Sequence, residues 1–64
     1  MCEAVVFVVK NGMMERVMED VVSVQPEGSK VLLTNIFGEQ KLVTATVEKV
    51  DLTGHEIILS YAGD

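Results

Sequence analysis

Cysteine is almost absent from this chain: its 64 residues include one, Cys2. A single thiol cannot close an intrachain disulfide, which removes the staple that many small domains rely on. Basic side chains are scarce too, with five Lys and Arg against ten Asp and Glu and a net charge of −5. That balance disfavours nucleic acid, whose binding depends on neutralising phosphates, and is compatible with handling cations. Aromatic residues make up 5% of the chain, two Phe, one Tyr and no Trp, too few for a base-stacking surface. No apolar run approaches the roughly 20 residues of a membrane-spanning helix. The Met1–Val9 segment lacks the basic region and small-residue cleavage site of a signal peptide. A cytoplasmic location, with thiols kept reduced, is therefore expected. There is no Gly-rich phosphate loop and no paired-His metal motif. Cys2 and His55, the single Cys and single His, stand at opposite ends of the sequence. Nothing in their spacing makes them a nucleophile and its base, so an enzyme is not expected.

What is present is an aliphatic chain: 48% of the residues are hydrophobic, with Val dominant. That suits a globular core. The length allows one domain, residues 1–64. A chain this short buries only roughly 60% of its unfolded surface, so a metal or a second subunit is the expected support.

The pattern reads as all-β. Cys2–Lys10 is Val-rich and runs into Asn11-Gly12, a strong hairpin signal. Met13–Met18 reads as a short second strand, Val21–Gln25 as a third ended by Pro26, and Lys30–Asn35 as a fourth. Pro26-Glu27-Gly28-Ser29 carries turn chemistry. Lys41–Leu52 reads as one long fifth strand. Its apolar parity slips between Val43, Ala45, Val47 and Val50, Leu52, which predicts a bulge near Glu48-Lys49. Thr53-Gly54-His55 is a turn, and Glu56–Tyr61 is the last strand. Five or six short strands with one long and bent predict a small SH3-like barrel.

The first strand is apolar on both faces, Val5, Phe7 and Val9 on one and Ala4, Val6 and Val8 on the other. A strand with one face in water should alternate. One face can serve the core, and a second copy of the chain is the expected cover for the other. A homodimer would turn one cysteine into two.

Cys2 carries the sharpest chemistry. Removal of Met1 would place a free α-amine on the residue that bears the thiol, and the two form a five-membered chelate ring around one ion. Metal binding lowers the pKa of both donors. Two such residues offer two nitrogens and two sulfurs, which in a plane suit Ni(II) or Cu(II) and as a tetrahedron suit Zn(II). The bland alternative is that Cys2 is a small buried hydrophobe. His55 reads as a solvated turn residue or a second ligand. Met1, Met13, Met14 and Met18 read as packing residues, with Cu(I) binding the alternative. Glu19-Asp20 reads as a solvated turn pair. Phe37-Gly38-Glu39-Gln40 reads as a tight turn with Gly38 left-handed and Phe37 in the core, or else as a docking loop for a client.

The chain resembles the CooT family of small nickel-binding proteins. Met1-Cys2-Glu3-Ala4, Val17-Met18-Glu19-Asp20-Val21, Ile36-Phe37-Gly38-Glu39-Gln40-Lys41, Val50-Asp51-Leu52, His55 and Ile57-Ile58-Leu59 carry the resemblance in order. It implies a cytoplasmic homodimer that binds Ni(2+) through Cys2 and serves the maturation of a nickel enzyme such as carbon monoxide dehydrogenase. His55 is not carried over as a ligand. The alternative expectation is an RNA- or protein-binding SH3-like module without a metal.

Overall fold

The computed structural model of the chain describes residues 3–61. It is all-β, with β1 Ala4–Lys10, β2 Met13–Glu27, β3 Lys30–Asn35, β4 Gln40–Val43, β5 Ala45–Asp51 and β6 Glu56–Tyr61. The strands form one sheet in the order β4-β3-β2-β1-β6-β5. It curls into a half-barrel of the SH3-like kind that brings β3 up to β5. Neighbouring strands run antiparallel except β1 and β6, which are parallel, with Val5 opposite Glu56 and Val9 opposite Ser60.

The turns form where the backbone demands them. Asn11 and Gly12 both take positive φ, 54° and 77°, the pairing that a two-residue hairpin loop with matching twist requires. The β2–β3 hairpin closes with Glu27 opposite Lys30, and Gly28 lies at φ 65°.

The long bent strand is β2, of 15 residues, and not Lys41–Leu52. The expected second and third strands are one. Its register slips against β1 between Ala4 and Phe7, and again against β3 between Val21 and Ser23. Asp20 sits among these slips with φ 56°. The Glu19-Asp20 pair is therefore a bend inside the sheet: one left-handed residue redirects the strand without releasing it. The first part of β2 pairs with β1 as far as Val21, and the last part pairs with β3. Pro26 does not end the strand; it lies opposite Val31 beyond the reach of β1, where one side of β2 is a free edge and needs no amide donor. Lys41–Leu52 is in turn two strands. β4 pairs with β3 and β5 with β6, at opposite ends of the sheet order, so the chain changes partners at Thr44. The expected bulge is present, as a register slip between Val47 and Lys49.

The core is aliphatic: Val6, Val8, Val21, Val31, Leu33, Ala45 and Leu59 are buried, with Val17, Met18, Val24, Val43 and Ile57 packed against them. Leu33, Leu59 and Val6 are fully buried, and each contributes roughly 1.5–3 kcal/mol through its removal from water. On β1, Val6 and Val8 face this core while Val5, Phe7 and Val9 are half-buried on the other face.

Candidate metal centre

Cys2, the sequence-derived ligand, lies outside the described residues. The structure defines the frame from which it extends. Glu3 leads into β1, flanked by β2 on one side and β6 on the other. Because β1 and β6 run parallel, the start of β1 shares an end of the sheet with the turn that precedes β6. That turn is Leu52-Thr53-Gly54-His55.

Local chemistry fixes the turn. The Asp51 carboxylate accepts the Gly54 amide at 2.9 Å. His55 follows in the left-handed region at φ 56°, a conformation that His adopts more readily than most residues. Its carbonyl accepts the Val5 amide at 2.9 Å, which ties the turn directly to β1. The His55 side chain is exposed. A groove of about 480 Å³ opens here, and Ala4, Val22, Val24, Leu52, Asp51 and His55 are among the residues that line it. Sheet topology thus brings the start of β1 and the His55 turn to one end of the molecule.

The other candidates are not gathered there. Met13 and Met14 are exposed beside the β1–β2 turn, opposite Lys10 and Val9, and point to opposite faces of the strand. Met18 packs against the core. Glu19 pairs with Arg16, and the Asp20 carbonyl accepts the Ile36 amide at 2.9 Å. Among the described residues, no group of three or more His, Cys, Asp or Glu side chains is placed to hold a metal ion.

The Ile36–Glu39 loop differs from its expectation in one respect. Gly38 is left-handed, with φ 82°. Phe37, however, is 72% exposed and does not enter the core. The residue that organises the loop is Asn35, which is buried. Its side-chain oxygen accepts the amides of Phe37 at 3.0 Å and Glu39 at 2.9 Å, and its amide nitrogen donates to the Glu39 carboxylate at 2.7 Å. With this side chain filling the space under the turn, Phe37 is directed outward. An Asn that closes on the amide two residues later is the Asx-turn pattern, a local signal that reading the loop through Phe37 and Gly38 passes over.

A family model described as CO dehydrogenase accessory protein CooT matches residues 1–60. The chain belongs to the CooT family. The crystal structure of a Carboxydothermus hydrogenoformans protein assigned as CooT superposes with a TM-score of 0.87 at 34% identity, over 97% of this chain and 100% of that one. Among curated relatives, an uncharacterised protein of Archaeoglobus fulgidus is 48% identical over 42 residues, 66% of this chain and 93% of its own length. An uncharacterised protein of Methanocaldococcus jannaschii is 38% identical over 45 residues, 70% of this chain and 79% of its own length. CooT is by its description an accessory protein of CO dehydrogenase, which fits a maturation role. Among the described residues, no helix is long and apolar enough to cross a membrane.

Proposed function

We propose that this CooT-family chain is a nickel-binding accessory protein. It captures Ni(II) at a homodimer interface through the Cys2 thiolate of each protomer, with the Cys2 α-amine as a further donor once Met1 is removed. It then passes the ion towards the maturation of a nickel enzyme such as carbon monoxide dehydrogenase, and it works in the cytoplasm. The observation that carries this reading is the family match, which runs from the first residue through Cys2 to residue 60.

The donor chemistry supports it. Thiolate with amine nitrogen is a set that suits Ni(II), and two protomers complete four donors. The half-buried outer face of β1, with Val5, Phe7 and Val9, gives a second copy an apolar surface on the strand that leads from Cys2. A donor at the end of a strand also leaves the ion open to ligand exchange, which hand-off to a client requires.

Nickel titration with native mass spectrometry tests the reading. The expected result is one Ni per dimer for wild type, and a folded, dimeric Cys2→Ser protein that does not retain nickel. Wild-type nickel affinity in Cys2→Ser would place the site elsewhere.

A further inference from the structure

We infer that the loop after β3 is a docking element that seats the Phe37 ring in an apolar socket of the client protein. This rests on the accessory role proposed above and gives that role a surface. A lone apolar side chain in water needs no explanation. Phe37 differs because the fold holds it there. It is 72% exposed, and its neighbour Ile36 is 47% exposed. Asn35 is the one buried polar side chain among the described residues, and both ends of its amide are engaged by this loop. Backbone bonds close the same loop: the Gly38 amide donates to the Asn35 carbonyl, and the Asn35 amide to the Glu39 carbonyl, each at 3.0 Å. The Ile36 amide donates to the Asp20 carbonyl at 2.9 Å, which ties the loop to the bend of β2. Aromatic side chains are enriched at protein interfaces. One carried on a braced loop has little ordering left to do when a partner arrives.

The position suits a client. Asn35 pairs with Val21, and Val21 with Ala4. The end of β3 thus stands level with the start of β1, two strand spacings away, or about 10 Å. A partner seated on Phe37 covers that end of the sheet. The charge beside the ring defines the rim of the socket. Phe37 borders a groove of about 560 Å³, lined also by Glu19, Asp20 and Glu39 against Arg16 and Lys41. Arg16 is paired with Glu19, and Lys41 donates to the Val17 carbonyl at 3.2 Å. With both bases engaged locally, and a chain charge of −5, the surface beside the ring is acidic. The matching surface is an apolar pocket bordered by Lys or Arg. A second copy seated here would set this surface against another acidic protein.

Biolayer interferometry with purified, nickel-free carbon monoxide dehydrogenase as the probe tests this, for the wild-type chain, Phe37→Ala and Met13→Ala. Met13 is 73% exposed, so its variant controls for an equally exposed apolar side chain lost elsewhere. Native mass spectrometry on the same proteins reports nickel content and dimer mass. Phe37→Ala is expected to bind the enzyme at least tenfold more weakly, and Met13→Ala as wild type does. Both should keep the nickel content, dimer mass and circular dichroism spectrum of wild type. Wild-type binding should weaken as salt is raised, as an acidic surface meeting a basic rim requires. Undiminished enzyme affinity in Phe37→Ala would overturn the inference and leave the accessory role standing. Equal losses in Phe37→Ala and Met13→Ala would reduce the contact to general apolar adhesion, and loss of the dimer in Phe37→Ala would assign the ring to a second copy; either overturns it too. A wild-type chain that retains nickel but does not bind the enzyme would remove the client reading together with the inference.

Discussion

Asn35→Ala is the most informative perturbation of the fold, because one side chain organises a whole connection. It removes two bonds accepted by the side-chain oxygen, from the Phe37 and Glu39 amides, and one donated to the Glu39 carboxylate. At a net contribution of about 0.5–1.5 kcal/mol for each of the three bonds, the sum is about 1.5–4.5 kcal/mol. Glu39 is exposed, so its carboxylate regains water, and the lower half of that range, about 1.5–3 kcal/mol, is expected. The backbone bonds from Asn35 to Glu39 and from Gly38 to Asn35 stay available, so the loop loosens without detaching β4. A domain of this size has about 3–10 kcal/mol in total at roughly 0.05–0.15 kcal/mol per residue. The loss is therefore large. Urea unfolding followed by far-UV circular dichroism, at one fixed protein concentration because assembly raises apparent stability, measures it. With an m-value of about 1 kcal/mol/M, the midpoint should fall by about 2 M. A loss below about 0.5 kcal/mol would mean that water replaces Asn35 fully, and the account of the loop would fail.

Two further outcomes are expected. Leu33→Ala, at a fully buried core position, should cost about 2–5 kcal/mol in the same assay and leave little folded protein at the weaker end of the stability range. Phe37→Ala should change stability by less than about 0.5 kcal/mol, because the ring is mostly in water; a loss comparable to Leu33→Ala would show that Phe37 packs in a core after all.

What was legible in the sequence was local. Asn11-Gly12, Gly28 and Gly38 announce positive φ because few other residues accept it cheaply, and all three positions have it. The parity slip before Val50 announces the bulge because side chains alternate strictly along a strand. The failures have the same origin. Two adjacent acids, Glu19 and Asp20, carry the composition of a turn, and only the pairing of both halves of β2 with neighbours keeps that segment in the sheet. Phe37 is apolar, which predicts an inward ring, but Asn35 already fills the space beneath the loop. Cys2 is an expectation of donor chemistry and family resemblance, and it lies outside the described residues. The adjacency of the start of β1 to the His55 turn has no sequence signal, because parallel pairing of the first and last strands joins residues about as far apart as the chain allows.

That pairing separates two demands that conflict in most small metal-binding domains. A structural metal supplies folding energy and cannot leave without unfolding the chain. A cargo metal has to leave. Here the buried residues, Val6, Val8, Leu33 and Leu59 among them, lie along the middle of β1, β3 and β6. The proposed donor Cys2 precedes Ala4, the first residue of β1, in the sequence. The parallel β1–β6 ladder from Val5 to Val9, with Val6 and Leu59 buried along it, is held by backbone bonds and packing among described residues that do not include Cys2. An ion bound at such an end can be drawn off by a competing ligand while the barrel stays folded. This is the physical reason to read the site as a loading point for nickel and not as the staple of a short chain.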